Sequence, residues 1–128
     1  MPQTLDYWRT VMQSKPGSQE ETPFGPDALV YKVAGKMFAL IGLVGDRLTM
    51  NLKCDPQDAL ILREAFTAVT PGYHMNKQHW NTVDLTAGLD PDLISEWIDD
   101  SYQLVVRSLP KKQQAQLLSP TQPETRDE

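Results

Sequence analysis

Between Asp90 and Pro110 the chain carries Ile94, Trp97, Ile98, Ser101, Tyr102, Val105 and Leu109 at offsets 0, 3, 4, 7, 8, 11 and 15. A spacing of about 3.6 residues gathers them on one broad stripe of an amphipathic helix. Asp90 suits the N-cap, and Pro91 suits the first helical position, where a missing N–H leaves nothing unsatisfied. Asp92, Glu96, Asp99 and Asp100 form the solvated remainder. So wide an apolar stripe needs an apolar surface to lie on, and the rest of the chain has to supply it.

Strand-forming segments precede this helix. Leu29 to Ala34 and Met37 to Leu43 read as two strands joined by a tight turn at Gly35-Lys36. After a turn at Gly45-Asp46-Arg47, residues Leu48 to Cys54 alternate at period two. Leu48, Met50, Leu52 and Cys54 then face the core, while Thr49, Asn51 and Lys53 face water or a partner. The three strands make an antiparallel meander, which tolerates one solvated face. A fourth strand is expected over Trp80 to Leu85.

Shorter helices complete the pattern. Thr4 caps a helix over residues 3 to 13, with Leu5, Trp8, Val11 and Met12 on one side and Lys15-Pro16-Gly17 as its stop. Residues 14 to 26, rich in proline and glycine, read as a surface loop. Asp55-Pro56 repeats the cap device of Asp90-Pro91 and opens a helix from about 56 to 69, with Leu62, Ala65, Phe66 and Val69 on its stripe. Thr70-Pro71-Gly72 stops it. Pro110 interrupts the last helix, Lys111 to Leu118 add a turn or two, and residues 119 to 128 have nothing apolar to bury, which predicts a disordered tail. The expectation is one α+β domain over residues 1 to 118, an antiparallel sheet packed against helices.

Composition narrows the setting. At 128 residues one core is expected, burying roughly two-thirds of the unfolded chain's surface. The longest apolar run, Met37 to Val44, is interrupted by Gly42 and falls short of the roughly 20 residues that span a bilayer. No signal peptide is evident at the N-terminus, and the single cysteine cannot form an internal disulfide, so a monomer in the reducing cytoplasm is expected, with no membrane partner. The net charge of -5 argues against coating nucleic acid by bulk attraction. It is unevenly placed, however: residues 29 to 82 net +2 and residues 83 to 110 net -5. A basic face opposite an acidic one would reconcile the two.

The side chains best suited to chemistry or recognition cluster in Tyr73-His74-Met75-Asn76-Lys77-Gln78-His79-Trp80-Asn81-Thr82-Val83, which holds both histidines. This stretch, with Trp97-Ile98-Asp99-Asp100-Ser101-Tyr102-Gln103-Leu104-Val105 and Leu109-Pro110-Lys111-Lys112, closely resembles the MmcQ/YjbR family of small bacterial proteins across roughly residues 3 to 117. The resemblance implies a frataxin-like (CyaY-like) α+β fold, a cytoplasmic location and DNA binding through a double-wing arrangement. It brings no catalytic residues and no cofactor.

Each candidate residue also has a structural reading. Lys77, beside Asn76, His79 and Trp80, combines a cation, an amide and a stacking ring as nucleic-acid surfaces do. Equally, Asn76 can cap a turn, Lys77 can be a solvated charge, and Trp80 can anchor a strand. His74 and His79, five apart, are gathered by neither helix nor strand, so no metal site is expected from them; an acidic ridge of Asp92, Glu96, Asp99 and Asp100 of the kind frataxins use for iron reads instead as a solvated face. Cys54 reads as a buried structural thiol with no neighbouring base. Enzyme motifs are absent, although a general base needs only geometry and pKa, which keeps His74 and His79 as the residues catalysis would use. The leading expectation is a non-enzymatic binding module for DNA using His74, Asn76, Lys77, His79 and Trp80 with Lys32, Lys36 and Lys53. The alternatives are a pocket for a small anionic ligand on His74, Asn76, Lys77 and His79, and a protein interaction module.

Overall fold

The computed structural model describes residues 4–23, 25, 28–44, 47–72 and 75–118. In chain order the elements are α1 (Leu5–Gln13), β1 (Ser18–Glu21), β2 (Ala28–Val33), β3 (Lys36–Val44), β4 (Arg47–Lys53), α2 (Pro56–Ala65), β5 (Val69–Pro71), β6 (Trp80–Asp84), α3 (Pro91–Arg107) and α4 (Lys111–Leu118). The strands form one six-stranded antiparallel sheet in the order β1-β2-β3-β4-β6-β5. This is the α+β architecture expected, with β2-β3-β4 as the meander.

The caps form as the residue types dictate. The side chains of Thr4, Asp55 and Asp90 accept from the backbone N–H groups of Tyr7, Gln57 and Asp92, and Pro56 and Pro91 open α2 and α3. The β2–β3 turn lies at Ala34-Gly35, one residue earlier than the glycine alone indicates. Both residues have positive φ, 51° and 81°, the handedness that matches the twist of a two-residue hairpin.

Alternation sorts the sheet into two faces. Leu52 stands opposite Asn81, and Val83 lies between Met50 and Val69, all pointing toward the helices. There they meet Trp97, Ile98, Tyr102 and Val105 of α3 and Trp8 and Met12 of α1 in one buried core. The other face carries Lys32 on β2, Thr49, Asn51 and Lys53 on β4, and Trp80, Thr82 and Asp84 on β6. Thr49 and Asn51, expected to meet water, are only 8% and 5% exposed. Short polar side chains in the middle of a sheet are shielded by their neighbours, and Asn51 accepts a hydrogen bond from the Thr82 hydroxyl directly across the ladder.

Two strands escaped the sequence reading. The supposed loop over 14 to 26 contains β1, whose Ser-Gln-Glu-Glu sequence has no apolar alternation because it is an edge strand paired only with β2. It is fixed by charge: Arg9 of α1 grips Glu20 through two hydrogen bonds of 3.0 and 2.9 Å, and the Tyr31 hydroxyl donates to the same carboxylate at 2.5 Å. Similarly, α2 ends at Ala65 rather than near residue 69. Phe66 is extended, with φ -133° and ψ 117°, and Val69 reaches the core from β5. A three-residue edge strand containing a proline leaves little period to detect.

A bulge joins sheet to helix. Tyr31 pairs with Ala39 but Lys32 with Met37, so β3 has an extra residue and Phe38 and Ala39 in succession are both fully buried. The Phe38 carbonyl accepts from the Ser101 hydroxyl at 2.5 Å, and the Ser101 hydroxyl oxygen in turn accepts from the Lys53 N–H at 2.8 Å. A helix serine thus fills a gap in the β3–β4 ladder.

Candidate functional site

The turn before β6 is built by Asn76, Arg63 and Gly72. The Asn76 side-chain oxygen accepts from the N–H groups of Gln78 and His79 at 2.9 and 3.3 Å, a local turn that fixes the chain entering β6. Its amide is therefore committed to structure. Arg63, from the last turn of α2, donates from Nε to Asn81 Oδ1 at 2.7 Å and from Nη2 to the carbonyls of Lys77 and Trp80, the latter at 3.3 Å. The His79 carbonyl accepts from the Cys54 N–H at 2.7 Å, locking the turn to the end of β4. Gly72 donates to the Trp80 carbonyl at 2.9 Å, and a Cβ there would stand 2.7 Å from Trp80 Cβ, so only glycine allows this approach.

This scaffold holds Trp80 by its backbone, and the residue is half-buried, outside the apolar core. Lys53 stands directly opposite on β4. The two side chains share the face away from the helices, with Lys77 and His79 exposed in the adjoining turn. The anchoring expected of Trp80 is supplied by its main chain, while the residue stays partly exposed.

The other candidates divide. Lys32 lies on the same sheet face but pairs with Glu21 at 3.1 Å. Lys36 stands opposite Val33, whose side chain is in the core, and its Nζ donates to Ser108 Oγ at 3.4 Å, so it belongs to the helix side. His74 and Tyr73 lie outside the described residues, as does the tail 119–128. Arg47, at the far end of β4, is paired with Asp84 at 3.0 Å. Burial works against the Asp84 charge, but hydrogen bonds from the Thr86 side chain and backbone and from Arg47 outweigh it and hold the carboxyl below its ordinary range. Among the described residues no carboxylate lies within ion-pair distance of Lys53 or Lys77. Asp92, Glu96, Asp99 and Asp100 are all exposed on α3, behind the sheet. The α3 carboxylates therefore project from the helix side of the sheet, while Lys53 and Lys77 have no carboxylate partner among the described residues.

Sequence reasoning missed Arg63. Nothing in the spacing of a lysine- and histidine-bearing turn announces that an arginine 18 residues before Asn81 will hold its carbonyls. Cys54 is half-buried rather than fully enclosed, because it lies just past β4 at the wall of a cleft between α2 and α3. Burial first, and then the charges of Asp58, Asp55 and Asp100, push its thiol up to about 11. Neither that cleft nor the shallower hollow around Arg47, Thr70 and Asp84 is lined by Asn76, Lys77 or His79.

No helix among the described residues is long and apolar enough to cross a membrane. The chain is 40% identical over 92 residues to the YbdF protein of Escherichia coli O157:H7, covering 72% of this chain and 75% of that one. It is 34% identical over 105 residues to the YjbR protein of Escherichia coli K12, covering 82% and 89%. Both are described as uncharacterized proteins. The crystal structure of Deinococcus radiodurans protein DR2400, a DUF419 domain, matches with a TM-score of 0.83 and 36% identity over 91% of this chain and 90% of that one. A Pseudomonas syringae protein matches with a TM-score of 0.69 and 30% identity over 79% and 97%. The YjbR family model covers residues 13–104, from the end of α1 through the Arg63-held turn to Ser101 and Leu104, and with these relatives it shows that the chain belongs to the YjbR family.

Proposed function

We propose that this chain is a non-enzymatic binding module that takes DNA, in single-stranded form, on the open face of its sheet. The observation that carries the reading is the Lys53–Trp80 cross-strand pair: a lysine without a carboxylate partner beside a half-buried tryptophan outside the apolar core. Rings on which bases stack, flanked by cations that meet phosphates, are the means by which sheet surfaces hold unpaired strands. Lys77 and His79 extend that edge. The α3 carboxylates project from the helix side rather than from the face that carries Trp80, which weakens the objection raised by a net charge of -5. The double-wing arrangement suggested by the family resemblance addresses the same class of partner.

The test is fluorescence anisotropy of a labelled oligothymidylate, with a duplex of equal length as comparison, titrated at low salt. Binding is expected to favour the single strand and to weaken with salt at a logarithmic slope of about 0.7 per phosphate met. Trp80→Ala should lower affinity by about 10-fold, within the range for losing one stacked base, and Lys53→Ala should lower the slope by about one phosphate. Absence of binding, or binding indifferent to both substitutions, overturns the proposal.

A further inference from the structure

A separate cavity opens on the helix side of the sheet. It is a cleft of about 340 Å³ between α2 and α3, floored by Leu52, Val69 and Val83 of the sheet and walled by Leu62, Trp97 and Leu104. That volume is at the lower end of the range for small-molecule sites. Ile61 lines the same cleft yet is 61% exposed, an uncovered β-branched side chain at its mouth. The charged part of the lining is three carboxylates, Asp55 and Asp58 from the start of α2 and Asp100 from α3, against two cations, Lys53 of β4 and Arg107 of α3. The charges of all three reach the Cys54 thiol, and that of Asp58 reaches Asp100. Burial first, then Asp99 and Asp58, raises the Asp100 carboxyl above its ordinary range, so a positive charge placed there would relieve an existing repulsion. No three histidine, cysteine, aspartate or glutamate side chains gather among the described residues as a metal ion would require.

We propose that the α2–α3 cleft is a binding site for a small amphipathic cation, an ammonium group carried on a single-ring apolar body. The ring fills the space over Leu52, Val69, Val83 and Trp97, and the ammonium meets Asp58 and Asp100. Apolar floor and acidic rim recognise the two halves of such a molecule separately, and an anion of the same shape meets the same floor but the wrong rim. Lys53 of β4 also lines the cleft, so the site adjoins the strand that carries the Lys53–Trp80 pair.

Cys54 serves as a reporter because it lines the cleft and is the only cysteine of the chain. The experiment measures the rate at which iodoacetamide alkylates Cys54 in the full-length protein at pH 8, with phenethylammonium or 3-phenylpropionate added at rising concentration. Thermal unfolding is followed in parallel. The proposal expects phenethylammonium to slow alkylation saturably and raise Tm, and phenylpropionate to do neither. Asp100→Asn and Asp58→Asn should each weaken the protection by about 10-fold, as expected for losing one charge-assisted contact, while Glu96→Gln on the exposed side of α3 leaves it unchanged. Both aspartates are exposed, so folded variants are expected, and their unliganded Tm checks this. Equal protection by both probes, protection by neither, or protection that survives both asparagine variants overturns it.

Discussion

The two faces of the sheet solve different problems with the same backbone. On the helix side Met50, Leu52, Val69 and Val83 meet α3 in a core where apolar area and shape complementarity dominate. On the open side Asn51 and Thr82 sit almost as deep but satisfy their polarity across the ladder, and Lys53 and Trp80 remain partly exposed at its end. Burial alone therefore does not mark the core. Which face a residue occupies decides whether its loss leaves a cavity in the core or a change at the open surface.

The comparison breaks first where the helix side is cut. Ile98→Ala should cost about 3 kcal/mol, the usual cost of truncating a fully buried aliphatic side chain, read from urea denaturation. A much smaller loss would mean that α3 is not the main cover of the sheet. Ser101→Ala should cost about 2 kcal/mol, because it strands the Phe38 carbonyl and the Lys53 N–H together. Gly72→Ala should cost about 1–2 kcal/mol, since the new methyl meets Trp80 and something must shift. It should also weaken oligonucleotide binding more than its stability cost explains, because it displaces the ring's own backbone. The smallest effect on stability belongs to the open side: Lys53→Ala should change the denaturation midpoint hardly at all while changing the salt dependence of binding.

A pH test sharpens the same contrast from the cleft. The Cys54 thiol moves from an ordinary value of 9.0 to about 11 on folding, which favours its neutral form in the native state. The sign follows: below pH 9 both states hold the proton and stability is unaffected, while between pH 9 and 11 the unfolded chain ionises first and stability falls as pH rises. Two pH units correspond to roughly 100-fold less thiolate at pH 8, so alkylation of the native protein should be slower than that of the urea-unfolded chain by about that factor, less any gain in nucleophilicity. Equal rates would show that the thiol is fully solvated.

Much of this arrangement was legible in the chain, for identifiable reasons. The stripe from Ile94 to Val105, the Asp-Pro caps and the alternation through Leu48 to Leu52 each repeat one physical preference often enough to exceed local noise. What could not be read was either short or non-local. β1 has no apolar residue to alternate, and its place depends on Arg9 and Tyr31 converging on Glu20, 11 residues from each. β5 is three residues long. At the site, the capping role open to Asn76 was legible from its residue type, but nothing in the composition of Tyr73 to Val83 indicated that Lys36 lies on the other side of the sheet or that Arg63 holds the turn. Those outcomes depend on register and on contacts between elements, which residue identity alone does not encode.

The Ser101 bridge couples the two faces dynamically. The Lys53 amide hydrogen is held by a helix side chain rather than by β3, so it can exchange with solvent only when α3 lifts from the sheet or the whole domain opens. Protection of that single amide would therefore track α3 docking, although the Lys53 side chain stands on the opposite face. One hydroxyl of the acidic helix thus ties the backbone of the strand that carries Lys53 to the docking of α3.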